Sequence, residues 1–129
     1  MSIAFVRAQA FEDSGFTIIA RVVGNAGTNI TQASLSTITY SVYDTSTGTV
    51  VTGHNAVALT ISTVVFDTLQ TDAVWTFDAT GYNYKHTVEA TALPTGGTVY
   101  IYEAKVTPVS GPVFWIIPGT ITAHPIYTS

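Results

Sequence analysis

Apolar residues recur at every second position in several stretches of this chain, and almost nowhere at the spacing of a helix. From Ser36 to Asp44, Ile38, Tyr40 and Val42 fall on one face and Thr39, Ser41 and Tyr43 on the other. The same alternation groups Tyr82, Tyr84, His86 and Val88 within Tyr82 to Ala90, and Tyr100, Tyr102, Ala104 and Val106 within Thr98 to Thr107. Successive side chains of a strand point to opposite sides, so each stretch predicts a strand with one face in a core. Phe16 to Val23 is another, closed by Gly24-Asn25-Ala26-Gly27. Asp44-Thr45-Ser46-Thr47-Gly48 reads as a hairpin turn returning through Thr49 to Thr52. Ala56 to Ser62 adds a strand, and Val113 to Ile117 and Thr120 to Ala123 add two short ones separated by Pro118-Gly119.

Two stretches stay open. Residues 1–12 hold a short apolar run, Ile3 to Val6, that suits an edge strand or an N-terminal arm. In residues 63–78, Val64, Val65 and Phe66 extend the preceding strand, or Asp67 to Asp72 form a single helical turn. Seven or eight short strands with regular turn signals predict one all-β domain over residues 1–129, an antiparallel β-sandwich.

Composition narrows the kind of work such a domain does. A chain of 129 residues that is 47% hydrophobic can bury a core without staples. Only 9% of it is charged, against about 25% in ordinary domains. Hydroxyls replace the missing charge: there are 23 threonines. Little repulsion holds copies apart, which predicts a homo-oligomer, either trimer or dimer. The basic residues are Arg7, Arg21, Lys85 and Lys105, and the net charge is −4. That is too little positive charge for a run of phosphates or an anionic membrane surface. The chain has no cysteine, so thiol nucleophiles and cysteine–zinc sites are excluded. Met1-Ser2-Ile3-Ala4 does not open a signal peptide, and no apolar run reaches membrane-spanning length. Synthesis in a cytoplasm is expected, with export only as part of a larger particle.

Leu93-Pro94-Thr95-Gly96-Gly97-Thr98-Val99-Tyr100 resembles the corner between strands E and F of fibronectin type III-like domains. Leu93, Pro94, Gly96 and Tyr100 are the residues that match. The resemblance implies a Pro-Gly turn followed by a buried tyrosine whose hydroxyl bonds back to turn backbone. With Ile38-Thr39-Tyr40-Ser41-Val42-Tyr43-Asp44 and Asp78-Ala79-Thr80-Gly81-Tyr82-Asn83-Tyr84, the chain is also similar to small virion proteins of tailed bacteriophages. Those are Ig-like β-sandwiches, threonine- and glycine-rich, assembled as multimers on the particle. The resemblance implies an Ig-like (fibronectin III-like) sandwich and a capsid decoration or cement protein. Its partner would be the major capsid protein or another virion protein, and its location the virion. No cofactor is implied.

The chemistry-bearing residues form no catalytic or metal pattern. Asp67, Asp72 and Asp78, with Asp44, lack the spacing of a calcium loop and read as solvated loop carboxylates. His54, His86 and His124 lack metal-ligand spacing, and His86 reads as a partly buried structural imidazole. There is no Gly-x-Ser-x-Gly nucleophile motif. Glu89 and Glu103 on neighbouring strands, beside Lys85 and Lys105, read as surface charge pairs. No enzyme is expected. Asn29-Ile30-Thr31 is a formal glycosylation sequon without a secretion signal beside it.

The rival class is a carbohydrate-binding or adhesin-like module. Trp75, Tyr82, Tyr84, Tyr100, Tyr102, Phe114 and Trp115 would then form its aromatic platform. Phe114-Trp115-Ile116-Ile117 is apolar on both faces. A strand covered on both sides has that pattern, so these four are the candidate interface. The chain ends, Met1 to Glu12 and Pro118 to Ser129, are the segments expected to reach a neighbour.

Overall fold

The computed structural model describes residues 2–3, 6–24, 27–76, 78–110 and 115–126, with side chains from residue 10 onward, Trp115 excepted. Its strands in chain order are β1 (Ser2–Ile3), β2 (Val6–Phe11), β3 (Phe16–Ala20), β4 (Val22–Val23), β5 (Leu35–Asp44) and β6 (Thr49–Val50). After them come β7 (Val57–Leu59), a single helical turn α1 (Ile61–Val64), β8 (Val65–Gln70), β9 (Tyr82–Val88), β10 (Thr98–Pro108) and β11 (Trp115–His124). A six-stranded sheet has the order β2-β11-β10-β5-β6, with β7 also paired to β5. A three-stranded sheet has the order β3-β9-β8, and β1 pairs with β4.

The two larger sheets face each other across one core. Ile38, Tyr40 and Val42 of β5 and Tyr100, Tyr102, Ala104 and Val106 of β10 are buried from one side. Phe16 and Ile18 of β3 and Tyr84 and Val88 of β9 close it from the other. Phe16 meets Tyr102 edge-on, ring centroids 6.2 Å apart. The chain is therefore an all-β sandwich, and the period-two faces predicted for β5, β9 and β10 are the buried ones.

Pairing departs from the expected all-antiparallel pattern at one place. β2 runs parallel to β11, from Val6 beside Gly119 to Phe11 beside His124. The apolar start of the chain is thus divided, β1 going to β4 and β2 to the opposite sheet. Where β3 gives way to β4, the side chain of Asn83 replaces the ladder. Its Oδ1 accepts the Val22 N–H at 2.7 Å and its Nδ2 donates to the Val22 carbonyl at 2.9 Å.

The region 56–72 also differs from expectation. The strand expected over Ala56 to Ser62 is only β7; of the readings left open for residues 63–78, Val65 and Phe66 are strand, in β8, and the helical turn lies at Ile61–Val64 rather than at Asp67 to Asp72. Asp67 sits within β8. The cause is topological. The chain must leave β5's sheet after Leu59 and enter the opposite sheet at Val65, beside Tyr84. A helical turn makes that step despite four residues of modest helix propensity.

Nor do Pro118 and Gly119 divide the last strand, because β11 is continuous through them. The Val99 carbonyl accepts the Thr45 N–H on the β5 side, so odd-numbered residues of β10 bond toward β5 and even-numbered ones toward β11. Pro118 lies opposite Glu103, where no ladder bond to β10 is made. Its missing N–H faces the other side, where the described pairing with β2 runs from Gly119 to His124.

Of the candidate interface, Ile117 is fully buried in the core and Ile116 is half-buried on the outer face. Ile117 is therefore unavailable to a partner. Phe114 and the side chain of Trp115 lie outside the described residues. Of the expected C-terminal arm, residues 118–124 are sheet. Glu89 and Glu103 are not on neighbouring strands, because β10 belongs to the six-stranded sheet while Glu89 follows β9 of the three-stranded one.

Candidate functional site

The Leu93–Tyr100 segment forms a corner closed from two directions. Leu93 and Tyr100 are fully buried. The Thr95 N–H donates to the Tyr100 hydroxyl at 2.9 Å, and that hydroxyl donates back to the Thr95 carbonyl at 3.3 Å. Gly96 is needed for close approach: a Cβ there would lie 2.4 Å from the Pro125 Cα. Gly97, at φ +78°, makes the left-handed bend into β10. From the other direction, the Glu12 carboxylate accepts the N–H groups of Gly96 and Ile126, each at 2.8 Å. The Ile126 bond, then the Gly96 bond, hold the Glu12 carboxyl below its ordinary range. Replacing Tyr100 by phenylalanine is expected to cost roughly 1–3 kcal/mol, read as a lower denaturant midpoint at unchanged slope.

The centre of the sandwich carries a polar network that alternation alone did not reveal. The Tyr40 hydroxyl meets His54 Nδ1 at 2.8 Å, and His54 Nε2 meets the Thr91 hydroxyl at 2.9 Å. His86 Nδ1 meets the Tyr102 hydroxyl at 2.8 Å, and that hydroxyl also bonds the Tyr84 hydroxyl. Tyr40 joins the two halves, its ring centroid 4.6 Å from that of His86 and 5.8 Å from that of His54. Only His54 and His86 of the three histidines are thus brought together, and His124 lies exposed at the end of β11.

Burial, then the nearby His54, pushes the His86 pKa down to about 4. Burial likewise raises the phenols of Tyr40, Tyr84 and Tyr102. With His86 neutral, a Tyr102 O–H donated to Nδ1 and a Tyr84 O–H donated to Tyr102 give each of these two contacts one donor and one acceptor. The sequence marks His86 by its place on an apolar face. His54 carries no such mark, because it follows Gly53 in a loop that only the fold sets against β5.

A third constellation organises the loop before β9. Asp78 Oδ2 accepts from Arg21 at 2.7 Å, and Oδ1 accepts from Trp75 Nε1 at 2.8 Å and from the Thr80 and Gly81 amides. The Trp75 bond first, then those of Arg21, Gly81 and Thr80, hold this carboxyl far below the usual range. Asp72 accepts the Tyr82 O–H at 2.8 Å, and Asp67 accepts the Gln32 N–H at 2.7 Å. Asp44 caps its own turn through Ser46. These four carboxylates serve separate local tasks. Among the described residues, no three histidine or acidic side chains converge as metal ligands.

The rings proposed as a sugar platform are largely interior. Tyr82, Tyr84, Tyr100 and Tyr102 are at most 1% exposed, and Trp75 is 9% exposed. Trp75 lies tilted at 41° to Tyr82 rather than coplanar with it. Comparisons with protein-family models, curated proteins and solved structures return no match for this chain. Among the described residues, no helix is long and apolar enough to cross a membrane.

Proposed function

We propose that this chain is an Ig-like sandwich that serves as a structural virion protein of a tailed bacteriophage, a decoration or cement protein that strengthens the capsid shell. Support for the Ig-like part comes from the topology. The order β3-β9-β8 against β11-β10-β5-β6 corresponds to strands B-E-D against G-F-C-C′. Tyr100, near the start of β10, sits where the tyrosine corner of such domains is found.

One observation carries the functional part: the titratable side chains drawn into the three constellations are committed to holding the fold. His54 and His86 bond tyrosine and threonine hydroxyls inside the core. Glu12, Asp44, Asp67, Asp72 and Asp78 fix turns and strand edges. What such a molecule offers a partner is surface. Buried apolar area yields about 25 cal/mol per Å², and a contact repeated over a symmetric shell multiplies a modest gain. Association entropy takes back much of each single contact, which favours multimers as the binding unit.

The test uses particles of the phage that encodes the chain. In a density gradient the chain is expected to band with intact particles at a fixed ratio to the capsid protein. Shells that lack it should release DNA at a lower temperature and regain resistance when purified chain is added back. Recovery only in the free fraction would sink the proposal, as would saturable glycan binding by a chain that leaves particles unaffected.

A further inference from the structure

On β10, β11 and β5 the described outer face of the six-stranded sheet carries little charge, in a pattern that complements itself. β10 is its central strand, and the even-numbered residues of β10 point inward. Val99, Ile101, Glu103, Lys105 and Thr107 therefore line the middle of the outer face. Beside Glu103 in register lie Pro118 and Ser41, and beside Lys105 lie Ile116 and Thr39. Ile101 is flanked by Tyr43 and Thr120. Val99 is 38% exposed, and Phe11, at the end of β2, is 60% exposed. Among the described side chains of β10, β11 and β5 on this face, Glu103 and Lys105 are the acidic and basic members, two residues apart on one strand.

We propose that this face pairs with the same face of a second copy about a two-fold axis crossing β10 over Ala104, an inference that rests on the protein working by surface association. In an isologous contact, if residue i meets residue j then j meets i. An axis over Ala104 sets Glu103 of each copy against Lys105 of the other, forming two opposite-charge pairs. The same operation lays Ile116 against Pro118 of the second copy, so apolar contacts border the charges. Aligned sheet packing tolerates the required near-antiparallel crossing. The five strands, from two residues in β6 to eleven in β10, at about 3.3 Å rise per residue and about 4.8 Å spacing give a footprint of about 600 Å² per copy. That lies at the low end for specific pairs, so a dimer that depends on concentration is expected.

Sedimentation velocity of the full chain from about 1 to 100 µM, with circular dichroism as a control for folding, tests this. Wild type is expected to pass from monomer to dimer. E103K places lysine against Lys105, and K105E places glutamate against Glu103; each should weaken the dimer at least tenfold. The double variant E103K/K105E restores opposite pairs and should recover it. A chain that stays monomeric, or a multimer indifferent to both single reversals, overturns the proposed pairing. If such a chain still bands with particles, the pairing fails while the decoration function stands. A charge-sensitive dimer that ignores particles gives the reverse result.

Discussion

Replacing Tyr102 by phenylalanine is expected to destabilise the fold by about 2–4 kcal/mol, although it removes a single oxygen. That oxygen is the hub of the interior network, bonded to the Tyr84 hydroxyl and to His86 Nδ1. Phenylalanine keeps the contacts of the ring with Phe16 and Tyr40, so the loss isolates the polar part. It leaves two buried groups without their partner, and each such group costs about 1–3 kcal/mol. The expected loss exceeds that of Tyr100→Phe, whose backbone partners at Thr95 lie beside an exposed turn. Adding Tyr84→Phe should cost little more, because one of the orphaned groups disappears with it. Equilibrium denaturation of the two singles and the double measures this. A Tyr102→Phe loss below about 0.5 kcal/mol would mean that the hydroxyl holds nothing in place.

What the chain disclosed in advance was whatever depends on a period of two. The buried faces of β5, β9 and β10 follow from alternation because each strand has one neighbour sheet and one solvent side. The corner was legible because Pro94, Gly96 and Tyr100 have backbone and burial requirements that few other arrangements meet. What escaped depends on contacts distant in sequence. Pro118 is harmless to the β10 ladder because it falls at a pair that makes no bond to β10, which no local pattern reveals. The turn Ile61–Val64 is helical because the chain must change sheets there, against the preference of its residues. The break between β3 and β4 is held by Asn83, among the tyrosines of β9, whose buried amide takes Val22 as its backbone partner, 61 residues away. Asp78 looked like one of several loop acids. Its partner Arg21 lies 57 residues away.

Acidification is expected to weaken the fold in two separable stages, the first set by His86. Its pKa falls from 6.5 to about 4 on folding, because the core disfavours the charged imidazole and His54 lies nearby. The unfolded chain therefore binds the proton first, and stability rises with pH across that interval. This contribution is complete above about pH 6.5, declines as pH falls, and is fully lost near pH 4, a span of about 3 kcal/mol. The groups facing His86 are His54, the phenols of Tyr40 and Tyr102, and, beyond Tyr40, the carboxylate of Glu89. Tyr40 and Tyr102 are neutral phenols with raised pKa values, and Lys85, the next residue, adds only positive charge.

The second stage belongs to the carboxylates. Glu12, Asp44 and Asp78 are held below their ordinary values, so their support persists above the unfolded carboxylate range and disappears only below about pH 4. Denaturant midpoints from pH 7.5 to 3 should thus fall first between 6.5 and 4 and again below 4. His86→Gln keeps a neutral polar group but cannot take up the proton. It should begin less stable at pH 7.5 and lose most of the slope between 6.5 and 4, while the lower stage stays in place. An undiminished slope between pH 6.5 and 4 in His86→Gln would show that the acid sensitivity originates elsewhere.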